Sequence, residues 1–283
     1  MKKYEEGVVI GGSKKRYNIK EKIYWIIALS LAIVMFGVFT MHTTHVDQVF
    51  AEEVDAFSKL NAKTVFSIDK IYLYSSASGE APAENNNVSW NLNLFQYTDI
   101  AIYINNNSDT IFDYSNSIKE LKISNVQFKD LKTGNPALYF KSINNFAKYV
   151  PNSSDYKIEK EFNYEVLNDG ELDYATPKVY ADVSNPITLE YLNTDIKNAS
   201  YTDVTEELTY DGSLLRKSSV NLNDIECTLI FNITIINNYN QEFVSTVSLK
   251  IPLEDDFTGN SIYDGKIVKT IEDNTTYRFF RTK

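Results

Sequence analysis

The chain has 283 residues, with 38 Asp and Glu against 28 Lys and Arg, and a formal net charge of −10. This acidity disfavours a nucleic-acid partner, because binding to phosphates requires a positively charged surface. The single cysteine, Cys227, excludes an intramolecular disulfide framework, so a hydrophobic core must hold the fold together.

The N-terminal residues 1–22 are polar and basic and show no apolar period, which predicts a disordered basic tail. Residues 23–41, IYWIIALSLAIVMFGVFTM, form an uninterrupted apolar segment without a charge. As an α-helix this segment would be ~28 Å long, close to the roughly 30 Å hydrocarbon thickness of a bilayer. Because lipid offers backbone amides no partners, we predict a single transmembrane helix.

The charges that flank the apolar segment predict its orientation. Five basic residues lie just before it, and the first one after it is Lys59. The positive-inside rule therefore predicts a cytoplasmic N-terminus and an extracytoplasmic C-terminal domain at the cell membrane. The apolar run is longer than the about 7–15 residues of a cleaved signal, and the best cleavage site, Val49-Phe50-Ala51, lies well beyond its end. This favours an uncleaved signal anchor, with cleavage near Ala51 as the alternative.

Residues 42–62 place apolar side chains three or four positions apart, which predicts a short helical juxtamembrane stalk. His42 and His45 are one helical turn apart and could touch one metal ion. Since no third ligand lies nearby in the sequence, we interpret them as juxtamembrane spacers.

From residue 63 to residue 283 the apolar period becomes two, which predicts β-strands. Residues 75–87 are rich in turn formers and predict a loop, and residues 142–149 predict a short helix. Asp-Gly pairs at 169–170, 211–212 and 264–265 predict two-residue hairpin turns. The strongest predicted strand is 225–236, paired with 243–251. The fold class is therefore mainly β, an antiparallel β-sandwich over 63–283, with a split into two small sandwiches near Pro151 as the alternative.

No histidine follows His45, so the C-terminal region has no Ser-His-Asp or Cys-His site and no His-ligated zinc. GxSxG, HExxH, GxxxxGK[ST] and GxGxxG are also absent. We therefore expect no catalytic, cofactor-binding or metal-binding residue, and no enzyme activity. A glycosidase built on two carboxylates stays open, because it needs only two acids about 5–10 Å apart.

Three further features have an ordinary structural interpretation. Cys227 lies on the apolar face of a strand and is interpreted as inert packing. Trp90 could stack on a sugar ring, but its alternating face favours a core anchor. The acidic stretches 107–109 and 254–256 could bind Ca²⁺, although they lack the EF-hand spacing.

The stretches WNLNLFQYTDIAIYINN, SNPITLEYLN, YDGSLL and NITIINNYNQEF resemble stretches in uncharacterised single-span, envelope-anchored proteins of low-GC Gram-positive bacteria. The resemblance implies a bacterial origin and the same topology, and it assigns no site residue.

Together these features predict a non-catalytic binding or structural module of the bacterial cell envelope. Its expected partners are the membrane, through one span, and wall polymer, carbohydrate or another envelope protein. The alternatives are a carbohydrate-active enzyme with a carboxylate pair and an oligomeric assembly component.

Overall fold

A computed structural model describes residues 19–61, 65–81, 90–106, 117–201, 208–251, 261–272 and 277–283. Contacts within the chain divide it into two units, with the boundary between Ala62 and Lys63. Among the described residues, the first unit contains one long helix and the second contains the β-strands. The chain is thus mainly β, with two sheets packed as a sandwich and one apolar helix near its N-terminus.

The helix α1 runs without interruption over Ile19–Asn61, so the apolar segment and the predicted stalk form one element. Its window Lys22–His42 has a mean hydropathy of 2.3, and none of that window is buried within the protein. The polar side chains in the apolar part bond to the helix itself. Ser30 donates to the Ile26 carbonyl at 2.5 Å and Thr40 to the Gly37 carbonyl at 2.9 Å. The helix is therefore long and apolar enough to cross a membrane.

The described strands, in chain order, are β1 (Phe66–Glu80), β2 (Trp90–Asn106), β3 (Ile118–Lys129), β4 (Asn135–Phe140), β5 (Glu161–Leu167), β6 (Lys178–Tyr180), β7 (Ile187–Tyr201), β8 (Cys227–Asn237), β9 (Glu242–Ile251), β10 (Lys266–Ile271) and β11 (Phe280–Arg281). Two short α-helices, α2 (Ser213–Lys217) and α3 (Leu222–Ile225), precede β8. Short 3₁₀ turns lie at Ile143–Asn145, Ser154–Tyr156 and Ile262–Asp264.

One sheet has the strand order β10-β1-β2-β7-β4 and the other β11-β9-β8-β3-β5-β6. All described pairings are antiparallel except that of β5 with β6, which is parallel. Each sheet contains strands from both halves of the chain, since β2 pairs with β7 and β3 pairs with β8. The described residues between 65 and 283 therefore build one sandwich.

Strand β8 is the clearest case of a strand specified by its side chains. Its inward residues are all fully buried, namely Cys227, Leu229, Phe231, Ile233 and Ile235. Period-two alternation places these side chains on the face that contacts the opposite sheet. The predicted hairpin of this strand with β9 is confirmed by their register, Cys227 opposite Ile251 to Ile236 opposite Glu242.

The predicted loop over residues 75–87 is wrong in its first part, because β1 continues to Glu80. The small polar residues there are satisfied inside the sheet. The Ser75 and Thr98 hydroxyls are 2.8 Å apart and buried, and Ser76 donates to the Gly265 carbonyl at 2.9 Å. Hydrogen-bonded hydroxyls can be buried at little cost, so turn-forming side chains did not end the strand.

None of the three Asp-Gly pairs forms a two-residue hairpin, so these predictions are wrong. After β5 the chain passes Gly170 and returns as β6, parallel to β5. Gly212 is the N-cap of α2, and Gly265 is the C-cap of the 3₁₀ turn Ile262–Asp264, with φ 115°. The Asp-Gly pairs at 211–212 and 264–265 contact each other, because the Gly212 N–H donates to the Gly265 carbonyl at 2.7 Å.

The predicted helix over 142–149 is reduced to a single 3₁₀ turn, Ile143–Asn145. Ser142 caps this turn by accepting a hydrogen bond from the Asn144 N–H at 3.3 Å. Ala147 then adopts φ 61°, a left-handed conformation that a regular helix cannot contain. The segment 141–152 therefore follows a path fixed by tertiary contacts.

Candidate functional site

A cluster of three charged side chains lies on the face of the five-stranded sheet that points away from the sandwich core. Asp99 on β2 and Glu190 on β7 are directly opposite each other in the register, and Lys141 directly follows β4, the neighbour of β7. Their strand neighbours Ile100 and Leu189 belong to the core. Alternation along each strand therefore brings the three charges together on the other face.

The cluster is closed to solvent and its ammonium group is fully hydrogen-bonded. Lys141 Nζ lies 2.6 Å from Asp99 Oδ1 and 2.6 Å from Glu190 Oε1, with the side chains 2 %, 0 % and 0 % exposed. The third donor goes to the Lys148 carbonyl at 2.8 Å. A lysine has three N–H donors, so every one of them has a partner.

The 141–152 segment covers the cluster and supplies further donors to the carboxylates. The Ala147 N–H donates to Asp99 Oδ2 at 2.7 Å. The Asn152 side-chain amide donates to Glu190 Oε2. The left-handed backbone of Ala147 costs about 1 kcal/mol, which this charge-assisted hydrogen bond offsets.

Aromatic residues surround the cluster. A second, small hydrophobic cluster lies on this face, formed by Phe95, Tyr97, Leu192, Tyr74, Tyr139 and Tyr149. Lys141 Nζ lies 5.1 Å from the centroid of the Tyr97 ring, within cation–π range. The centroids of the Tyr149 and Phe95 rings are 4.2 Å apart, and the Tyr149 hydroxyl donates to Glu80 Oε1 at 2.9 Å. These rings keep water from the charges.

The electrostatics of the cluster are unbalanced, because two carboxylates share one ammonium. The pKa of Asp99 is raised to about 6: burial raises it most, the contact with Lys141 lowers it, the charge of Glu190 raises it and the Ala147 N–H lowers it. Burial likewise raises the pKa of the Tyr97 and Tyr149 hydroxyls, so both are neutral donors at physiological pH. The site therefore favours taking up a proton near Asp99.

The arrangement pairs two carboxylates with a raised pKa on one of them, as an acid–base pair would require. It lacks an open groove, because both carboxylate side chains are fully buried and Lys141 lies between them. A sugar could reach neither acid without displacement of the 141–152 segment. The geometry instead favours chemistry among the three side chains themselves.

A separate open groove of about 490 Å³ lies at the ends of β1, β2 and β7. Five of its eight lining residues carry polar side chains, namely Glu80, Asn91, Asn93, Asn198 and Ser200. Amide, hydroxyl and carboxylate groups are the partners that sugar hydroxyls bond to. This groove is the candidate site for an external ligand.

The structure places the residues singled out in the sequence as follows. Cys227 is fully buried beside the Tyr191 hydroxyl, and burial raises the pKa of its thiol, which confirms the packing interpretation. His42 and His45 are exposed on α1, and no group of three metal-ligating side chains occurs in the described residues. The Trp90 side chain and the acidic stretches 107–109 and 254–256 lie outside what the structure describes.

Sequence reasoning missed Asp99, Lys141 and Glu190. The available signal was a charge within a run that is otherwise buried: Asp99 precedes Ile100-Ala101-Ile102, and Glu190 lies between Leu189 and Tyr191. A charge at such a position needs a buried partner, but only the fold shows that one lysine serves both acids.

In comparisons with known proteins, no protein-family model, curated protein sequence or solved structure matches the chain.

Proposed function

We propose that the protein is a single-pass, membrane-anchored β-sandwich that acts as a binding or structural module on the outer side of a bacterial cell envelope. The observation that carries this proposal is the apolar window Lys22–His42, none of which is buried by the rest of the protein. Trp25 and Phe36 are 76 % and 71 % exposed. A helix apolar on every side requires lipid or protein around it, and lipid is the simplest surrounding.

The orientation follows from the basic residues before the helix, since positive charges near a span stay in the cytoplasm. The sandwich would then lie outside the membrane. A bacterial envelope suits a sizeable core without disulfides, and the resemblance to single-span Gram-positive envelope proteins supports the same location.

The side-chain amides of Asn91 and Asn198 in this groove support wall polymer or another carbohydrate as the ligand. Its volume of about 490 Å³ lies within the range of roughly 300–1,000 Å³ that is typical of small-ligand sites. A protein partner at this groove is the alternative occupant.

A carbohydrate-active enzyme is the second candidate function. The opposed carboxylates Asp99 and Glu190, one with a raised pKa, favour it, whereas their complete burial opposes it.

The experiment uses the full chain in membranes, with purified wall polymer as the probe. The binding proposal expects the membrane fraction to retain labelled polymer, and expects loss of binding when Asn91 and Asn198 are both changed to Ala. Asn163→Ala, an exposed change on β5 of the other sheet, serves as the matched control and should bind normally. Equal binding by all three proteins would contradict the groove as the site. Polymer hydrolysis that Glu190→Gln abolishes would favour the enzyme instead.

A further inference from the structure

The charged cluster contains one carboxylate more than an ion pair needs. A buried ammonium with one carboxylate is already a complete pair, yet here a second carboxylate contacts the same nitrogen at the same distance of 2.6 Å. The second acid adds an uncompensated buried charge, and such charges are costly in a site without water. A third titratable group next to an amine and an acid can carry protons between them while they react.

Each group is placed for an acyl transfer within the cluster. Lys141 Nζ is the nucleophile and lies 2.6 Å from Oδ1 of Asp99, the oxygen bonded to the carbon it would attack. The other oxygen, Oδ2, receives the Ala147 N–H at 2.7 Å, a donor aimed where negative charge would develop. Glu190 Oε1 contacts the same Nζ and can move its protons.

We propose that Lys141 and Asp99 condense into an intramolecular amide cross-link, with Glu190 as the catalytic proton carrier. The cross-link joins β2 to the start of the 141–152 segment. It does not depend on the anchoring or on the ligand proposed above.

The step balances without an oxidant, reductant or cofactor. The Lys141 ammonium gives one proton to Asp99, which leaves a neutral amine beside a carboxylic acid. The Nζ lone pair forms a bond to Asp99 Cγ, and Oδ2 takes the displaced electron pair under the Ala147 N–H. Glu190 accepts a proton from Nζ and delivers it to Oδ1, which already carries the first proton. The electron pair on Oδ2 then re-forms the C=O bond, the Cγ–Oδ1 bond breaks, and one water leaves. The products are a secondary amide and an unchanged Glu190 carboxylate.

Asp99 suits the acyl role better than Glu190. It has the backbone donor on its second oxygen, and its raised pKa of about 6 favours the acid form that can release water. Glu190 instead receives a hydrogen bond from the side-chain amide of Asn152 and none from the backbone among the contacts described. The surrounding aromatic rings exclude bulk water, which would otherwise favour the separated ions.

The test is intact mass and peptide mapping of the full chain, purified from a bacterial host in detergent. The folded protein should be lighter than its sequence by the mass of one water. After trypsin, residues 71–119 should be recovered covalently joined to residues 133–148, because a modified Lys141 is not cleaved. Recovery of folded protein at its full sequence mass, with linear peptides ending at Lys141, would overturn the proposal.

Two variants separate the proposed bond from other dehydrations, such as succinimide formation at an Asp-Gly pair. Lys141→Arg cannot form the amide and should have its full sequence mass, so persistence of the water loss in this variant would overturn the proposal. Glu190→Gln keeps both reacting groups and should yield mostly uncross-linked protein. A peptide in which Lys141 is joined to Glu190 instead of Asp99 would overturn the assignment of the acyl group. If a variant folds poorly, the peptide map of the protein without substitutions decides the question by itself.

Discussion

At the scale of single residues, the protein concentrates its unusual chemistry in Asp99, Lys141 and Glu190. These side chains are held by strand alternation, by the Ala147 N–H and by the Lys148 carbonyl. Replacing buried ion pairs with apolar groups is often neutral or stabilising, so stability alone explains such a cluster poorly. A chemical role, such as the proposed cross-link, accounts for all three charges.

The pH dependence of stability should report the burial of Asp99 when the cross-link is blocked. In Glu190→Gln, burial still raises the folded-state pKa of Asp99 above its ordinary value of 3.8, towards the value of about 6 found with Glu190 present. At a pH between the unfolded-state pKa and the folded-state pKa of Asp99, the folded state then binds more protons than the unfolded state. The free energy of unfolding should therefore fall as pH rises above about 4, and the fall should end below pH 6, because the Glu190 charge that helps to raise the pKa of Asp99 is absent from this variant.

Urea unfolding of Glu190→Gln at a series of pH values measures this change. The double variant with Asp99→Asn is the control, because it cannot titrate at residue 99 and should show a flatter profile. A rise in stability over the same pH range, lost in the control, would show that the Asp99 pKa is lowered by Lys141 and not raised by burial.

At the scale of elements, close backbone contacts decide where short helices and turns form. Gly212 has an ordinary helical φ of −56°, but a Cβ on it would lie 1.6 Å from the Ile262 carbonyl oxygen. Gly170 has the opposite situation, with φ 94° and nothing within 4 Å. One glycine is needed for space and the other for its dihedral angle.

This contrast predicts different costs for the same substitution. Gly212→Ala should lower the free energy of unfolding by about 3 kcal/mol or more, because backbone atoms must move apart. Gly170→Ala should cost about 1 kcal/mol, the price of a left-handed alanine in open space. Chemical denaturation of both variants measures the difference, and equal costs would contradict the close approach at Gly212.

The elements also show how far the sequence predicts the fold. The alternation of Cys227, Leu229 and Phe231 predicted β8 correctly, because its inward face is uniformly apolar. The pattern failed where local signals compete with tertiary contacts. Ser75 and Ser76 look like turn formers, but the sheet and Gly265 satisfy their hydroxyls.

The candidate site was beyond prediction for a related reason. The separations between Lys141 and its two acids are 42 and 49 residues, so local patterns do not bring them together. Strand pairing between β2 and β7 sets the register that opposes Asp99 to Glu190. Only the topology of the five-stranded sheet therefore identifies the cluster.

At the scale of the whole molecule, the chain combines one apolar helix with a separate β-sandwich unit. The sandwich contains a single cysteine, so no disulfide stabilises it within the chain. An internal amide would serve that purpose and would resist reduction, which suits a domain exposed outside a cell. The proposed anchor, the sandwich and the proposed cross-link are thus compatible parts of the surface module that we propose.

Protease treatment of intact cells tests the central claim, the placement of the sandwich outside the membrane. The full chain would carry one epitope tag before Met1 and another after Lys283, with the tags followed by immunoblotting. We expect protease to remove the C-terminal tag from intact cells while the N-terminal tag survives, and both tags to be lost once the cells are lysed. Loss of the N-terminal tag alone from intact cells would contradict the orientation, and recovery of both tags in the soluble fraction would contradict the anchor.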